Sequence, residues 1–89
     1  MPVARLKIVN LKGLHARASA KFVETVESHN ALARVGCHGH SVGGDSIMGL
    51  LMLSAHQGSS IEVETTGPDA DALMTALTDL VANRFGEDS

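Results

Sequence analysis

Five histidines, one cysteine and a serine at the head of an apolar run are the side chains in this sequence best suited to group chemistry. His15 stands in Gly13-Leu14-His15-Ala16-Arg17, just before a stretch with helical spacing. Its ring therefore lies where a helix leaves backbone N–H groups unpaired and presents the positive end of its dipole. Such a place attracts anions. Imidazolium is disfavoured there, and neutral imidazole is the nucleophile that accepts a phosphoryl group. Arg17, two residues on, can reach back over the first turn, and a planar guanidinium suits phosphoryl oxygens. The plainer alternative makes His15 a partial helix cap and Arg17 a solvated helix residue, since short motifs recur by chance.

Cys37, His38 and His40 form a second cluster, because thiolate and imidazole are ligands for zinc or copper. His38-Gly39 suits a tight turn, which leaves Cys37 and His40 as cross-strand neighbours with no nearby group to complete a four-ligand set. His29 fits the C-terminal end of the first helix and His56 follows the second, and neither is assigned chemistry. Ser46 precedes the apolar stretch Ile47 to Leu53 and is a good N-cap, a contribution of about 1 kcal/mol over Ala. A two-turn helix in a small one-layer fold buries only one face. Leu50 and Leu53 share a face suited to the core, which turns Ile47, Met48 and Leu51 outward as an adaptable docking patch.

The elements that must position these groups follow from hydrophobic periodicity. Ala4, Leu6 and Ile8 alternate with Arg5 and Lys7, the pattern of a half-buried strand, and Asn10 to Leu14 forms its exit loop. Ala16, Ala20, Val23 and Val26 recur at three- and four-residue steps and predict an amphipathic helix over residues 16–28. Residues 31–35 and 40–43 flank the His38-Gly39 turn as a hairpin. Ile61, Val63 and Thr65 alternate with Glu62 and Glu64, after which Gly67-Pro68-Asp69 opens a helix carrying Leu73, Leu77, Leu80, Val81 and Arg84. The order β-α-β-β-α-β-α with one-sided strands predicts an α+β open sandwich. It has a four-stranded, mainly antiparallel sheet with three helices on one face.

Composition narrows the partners. The 89 residues, with Lys+Arg 7 against Asp+Glu 10 and a formal net charge of -3, make one domain over residues 1–89. A chain this size buries roughly 60–70% of its unfolded surface, enough for one core but not for an enclosed drug-sized cavity, so chemistry belongs on the surface. Scattered bases and only two aromatic residues, Phe22 and Phe85, argue against a nucleic acid partner. The longest apolar run, Leu50 to Leu53, is too short for membrane insertion, and the opening residues lack a signal peptide's apolar core. A lone Cys37 fits a reducing cytoplasm.

Gly13-Leu14-His15-Ala16-Arg17, the segment Asp45-Ser46-Ile47-Met48-Gly49-Leu50 and the strand-helix order together resemble the HPr family over essentially the whole chain. Members are phosphocarriers of the bacterial phosphoenolpyruvate-dependent phosphotransferase system. The resemblance implies an HPr-like open-faced β-sandwich and a monomeric carrier without cofactor or metal, a carrier rather than a complete enzyme. It implies that Nδ1 of His15 accepts a phosphoryl group from phospho-enzyme I and passes it to an enzyme IIA domain, with Arg17 stabilising the group. It further implies phosphorylation of Ser46 by an ATP-dependent HPr kinase/phosphorylase. Both a sugar-transport and a nitrogen-type regulatory acceptor are compatible with these motifs. Many members have Pro then Ala after the arginine where this chain has Ala18-Ser19, which leaves the first helical turn less preset but removes no reacting group. Gly43-Gly44-Asp45 before Ser46 is also unusual. Two other readings compete: a regulatory module using Ser46 alone, against which His15 argues, and a metal-handling domain on Cys37 and His40, against which the absence of paired thiols argues.

Overall fold

The computed structural model describes residues 2–89. Strands β1 (Val3–Lys7), β2 (Leu32–Cys37), β3 (His40–Gly43) and β4 (Ser60–Thr66) form one sheet in the order β1-β4-β2-β3, every neighbouring pair antiparallel. The helices are α1 (Ala16–Glu27), α2 (Ile47–Met52) and α3 (Ala70–Ala82). The expected α+β sandwich is therefore present.

Register carries the period-two pattern across the strands. Val63 of β4 pairs with Ala4 on one side and Val35 on the other, and Ile61 pairs with Leu6, so one face of the sheet is apolar and buried. The next residues along, Arg5 opposite Glu62 and Arg34 opposite Glu64, mix charges on the open face. The β2–β3 turn is His38-Gly39, with φ of 51° and 81°; positive φ at both positions matches the right-handed twist of the strands. Strand β2 runs two residues further than the alternation suggested, up to this turn.

Two details of the helices differ from the periodicity reading. Ala16 on α1 is exposed and Ala20 only half-buried, while Ala18, Phe22 and Val26 form the buried row with Ser19 and Val23 beside them. Phe22 decides this rotation: it is the largest side chain on the helix, and seating it in the core removes more apolar surface from water than seating two alanines. Arg84 lies off α3. The helix stops at Ala82, and a 3₁₀ turn over Arg84–Gly86 places Arg84 and Phe85 at φ 58° and 54°. Left-handed backbone costs a non-glycine residue about 1–2 kcal/mol, and the full burial of Phe85 outweighs it. The Lys21 ammonium on α1 donates to the Phe85 carbonyl at 2.6 Å, so the chain folds back toward the start of α1 instead of running on.

Candidate functional site

The loop after β1 is built to hold its shape. Asn10 is fully buried, and its Nδ2 donates to the Gly13 carbonyl at 2.8 Å; the Leu14 N–H donates to the Ala55 carbonyl at 2.8 Å. Gly13 has φ +66°, and a Cβ there would lie 2.6 Å from the Ala55 carbonyl oxygen and 2.7 Å from the His56 Cα. Only glycine meets both demands, and its close approach ties the loop to the segment that leaves α2.

His15 ends this loop and is the N-cap of α1. Its backbone is extended (φ −79°, ψ −177°), and Nδ1 accepts from the Arg17 backbone N–H at 3.2 Å. The first bond inside the helix is Ser19 N–H to the His15 carbonyl at 2.8 Å, so the N–H groups ahead of it have no partner within the helix. With the Nδ1 lone pair facing an N–H donor, the neutral ring carries its proton on Nε2. Nε2 meets the Oε2 of Glu87.

Glu87 is the residue that sequence reasoning missed. Its Oε1 accepts from Asn10 Nδ2 at 2.9 Å, so one carboxylate joins a buried loop amide to the His15 ring. Partial burial pushes this carboxyl up. The hydrogen bonds from Asn10 and His15, with electrostatic attraction from His15 and Lys12, outweigh that effect and hold it below the ordinary glutamate range. No local pattern points to Glu87, because it lies 72 positions from His15. Arg17 is exposed, as sequence analysis allowed in either reading, and lines a recess of ≈ 330 Å³ with Lys12, Lys21, Glu87 and Asp88. A larger groove of ≈ 550 Å³ lies on the open sheet face among Arg5, Arg34, Gly36 and Glu62, away from this site.

Ser46 caps α2, its Oγ accepting from the Gly49 N–H at 3.0 Å. Leu50 and Leu53 are buried beneath. Ile47 and Met48 are exposed, at 40% and 68%, but Leu51 is half-buried and does not turn outward as the helical wheel suggested. Gly49 lies close to Val42 of β3, and the exposed positions of the helix are Ile47, Met48 and Met52, the last 75% exposed. Leu11 at the tip of the histidine loop is also exposed.

The remaining histidines are held locally or on the surface. His29 Nδ1 meets the Thr25 carbonyl at 2.8 Å, and the His38 and His56 rings stack at 6.2 Å. Cys37 pairs with His40 across the hairpin, but its thiol is buried, which pushes its titration up. Among the described residues no group of three or more His, Cys, Asp or Glu is gathered to hold a metal ion, and no helix is long and apolar enough to cross a membrane.

The family described as "PTS HPr component phosphorylation site" matches residues 3–83. The chain belongs to the HPr family. It is 48% identical over 82 residues to the phosphocarrier protein HPr of Neisseria meningitidis, covering 92% of each chain. It is 46% identical over 80 residues to that of Cupriavidus necator, covering 90% of each. The HPr crystal structure from Thermoanaerobacter tengcongensis superposes with a TM-score of 0.94 at 34% identity, covering 100% of both chains. His15, Arg17 and Ser46 fall inside the span that matches the HPr family, and Glu87 falls outside it.

Proposed function

We propose that this chain is a phosphoryl carrier that accepts its group on Nδ1 of His15 from phospho-enzyme I and donates it to an enzyme IIA domain. The observation that carries the reading is the placement of His15 as the N-cap of α1, with Nδ1 turned toward the Arg17 N–H of the first turn. As the Nδ1 lone pair attacks phosphorus, the Arg17 N–H loses that acceptor and gains a phosphoryl oxygen instead. The helix start then offers further N–H donors and its dipole to the arriving negative charge. Arg17 adds a mobile positive charge from the rim. The site is open, as a carrier requires, because each partner supplies the other half of the transfer site and excludes water around a loose, in-line transition state.

The exposed Ile47, Met48 and Met52 on α2, with Leu11 on the loop, suit a brief apolar contact with enzyme I and enzyme IIA domains. Ser46 is the proposed acceptor for an HPr kinase/phosphorylase. A phosphate of roughly -1.5 to -2 charge at a helix start keeps the fold while spoiling that apolar contact.

Incubation with enzyme I and phosphoenolpyruvate should label the protein with acid-labile, base-stable phosphate on His15. His15→Ala should take none while keeping its fold. Arg17→Ala should accept more slowly by about 10²–10³, the usual weight of one electrostatic donor at a transfer site. Full labelling of His15→Ala would overturn the assignment.

A further inference from the structure

Glu87 holds the second nitrogen of the His15 ring, and its own second oxygen is held by a buried amide. Resting on the carrier reading above, we infer that Glu87 is a positioning residue that fixes the orientation and tautomer of His15, leaving Nδ1 as the atom that accepts the phosphoryl group. Three observations carry this. Oε2 meets Nε2 of His15, while Oε1 accepts from Asn10 Nδ2 at 2.9 Å. Asn10 is fully buried and also ties down Gly13, so the carboxylate is anchored to the buried part of the loop. The tail that bears Glu87 is itself fastened by buried Phe85 and by the Lys21 ammonium on the Phe85 carbonyl. A carboxylate that faces one ring nitrogen and is oriented from behind fixes the tautomer of the imidazole, the arrangement used wherever the other nitrogen must act as nucleophile, base or ligand.

The transfer step shows what this hold does. The Nδ1 lone pair forms the new bond to phosphorus as the bond from phosphorus to the donor's nitrogen breaks and returns its electron pair to the donor. No proton leaves His15. The ring, phosphorylated on Nδ1 and still protonated on Nε2, carries a positive charge that the Glu87 carboxylate faces directly. When the phosphoryl group moves on, the Nδ1–P bond breaks and the electrons return to a ring that is again neutral with its proton on Nε2. The same contact therefore serves acceptance and donation.

The test compares the full chain with Glu87→Ala and Glu87→Asp. In ¹⁵N-edited spectra the wild type should show a hydrogen-bonded Nε2–H of His15 with an unprotonated Nδ1. That proton signal should be lost to exchange in Glu87→Ala and recovered at least in part in Glu87→Asp. The rate of phosphoryl transfer from phospho-enzyme I should fall roughly 10-fold in Glu87→Ala, by analogy with the lower end of what the carboxylate partners of metal-bound histidines contribute, and rise again in Glu87→Asp. Wild-type circular dichroism of Glu87→Ala at the assay temperature would separate this loss from unfolding. Wild-type transfer that persists in Glu87→Ala at full rate, or a wild-type ring protonated on Nδ1, overturns the role of Glu87 alone. A wild-type chain that takes no phosphate from phospho-enzyme I overturns the carrier reading and this use of Glu87 with it.

Discussion

His15 owes its chemical character to two neighbours that hold opposite ends of one ring. The Arg17 backbone N–H faces Nδ1 and the Glu87 carboxylate faces Nε2. The first contact is local, spanning two residues, whereas the second exists only because the tail returns to the loop. Glu87 also reports its surroundings. Its carboxyl titrates below the ordinary range in the folded chain, so it contributes stability that is complete above the unfolded-state value and is lost as pH falls through the lower, folded value. Carbon-detected titration should place its midpoint below the ordinary glutamate value. In Asn10→Ala or His15→Ala the midpoint should rise, since each removes one of the hydrogen bonds that lower it. A midpoint unmoved by both substitutions would show that the carboxylate points elsewhere.

At the scale of elements, the short turn after α3 matters more than its three residues suggest. Phe85 is fully buried, and its seating bends Arg84 and Phe85 into left-handed backbone that neither residue favours by itself. The turn is therefore held by packing, and its consequence is the delivery of Glu87 to His15. Phe85→Ala should cost about 3–5 kcal/mol of stability, as large-to-small core changes of this kind do. It should also slow phosphoryl acceptance under conditions where the variant remains folded, because the tail would lose its anchor. Chemical denaturation gives the first quantity and labelling by phospho-enzyme I the second. A variant that is destabilised yet accepts phosphate at the wild-type rate would show that the tail reaches the site without Phe85.

Across the whole molecule, the sheet has one face packed and one open, while the histidine loop and α2 are joined by the contact of Gly13 and Leu14 with Ala55 and His56. That contact binds the His15 loop to the segment following the exposed apolar residues of α2. A partner seated on Met48 and Met52 is thus expected to meet the His15 loop in the same approach. Met48→Glu and Ser46→Asp each place a negative charge where such a partner must exclude water, so both should weaken association with enzyme I while leaving the melting temperature near wild type. Calorimetric titration against enzyme I, set beside thermal unfolding, measures the two effects. Wild-type affinity in both variants would move the docking surface off α2.

The sequence by itself determined the order of the elements and singled out the candidate histidine. Alternation in β1 and β4, helical spacing in α1 and α3, and cap residues such as Ser46 are all encoded within a few positions, where the chain's own geometry sets the period. The candidates His15, Arg17 and Ser46 were legible for the same reason: each belongs to a motif whose parts are sequence neighbours. Tertiary structure alone decided which side of α1 faces the core, because the size of Phe22 overrode the more regular alanines. It decided that Leu51 is half-covered and Met52 exposed, because which side of a six-residue helix is covered depends on how it seats against the rest of the fold, here with Gly49 against Val42. It also brought Glu87 to His15. That meeting spans 72 positions and depends on the burial of Phe85 and on a hydrogen bond from Lys21, and long-range packing of this kind leaves no period in the sequence to read.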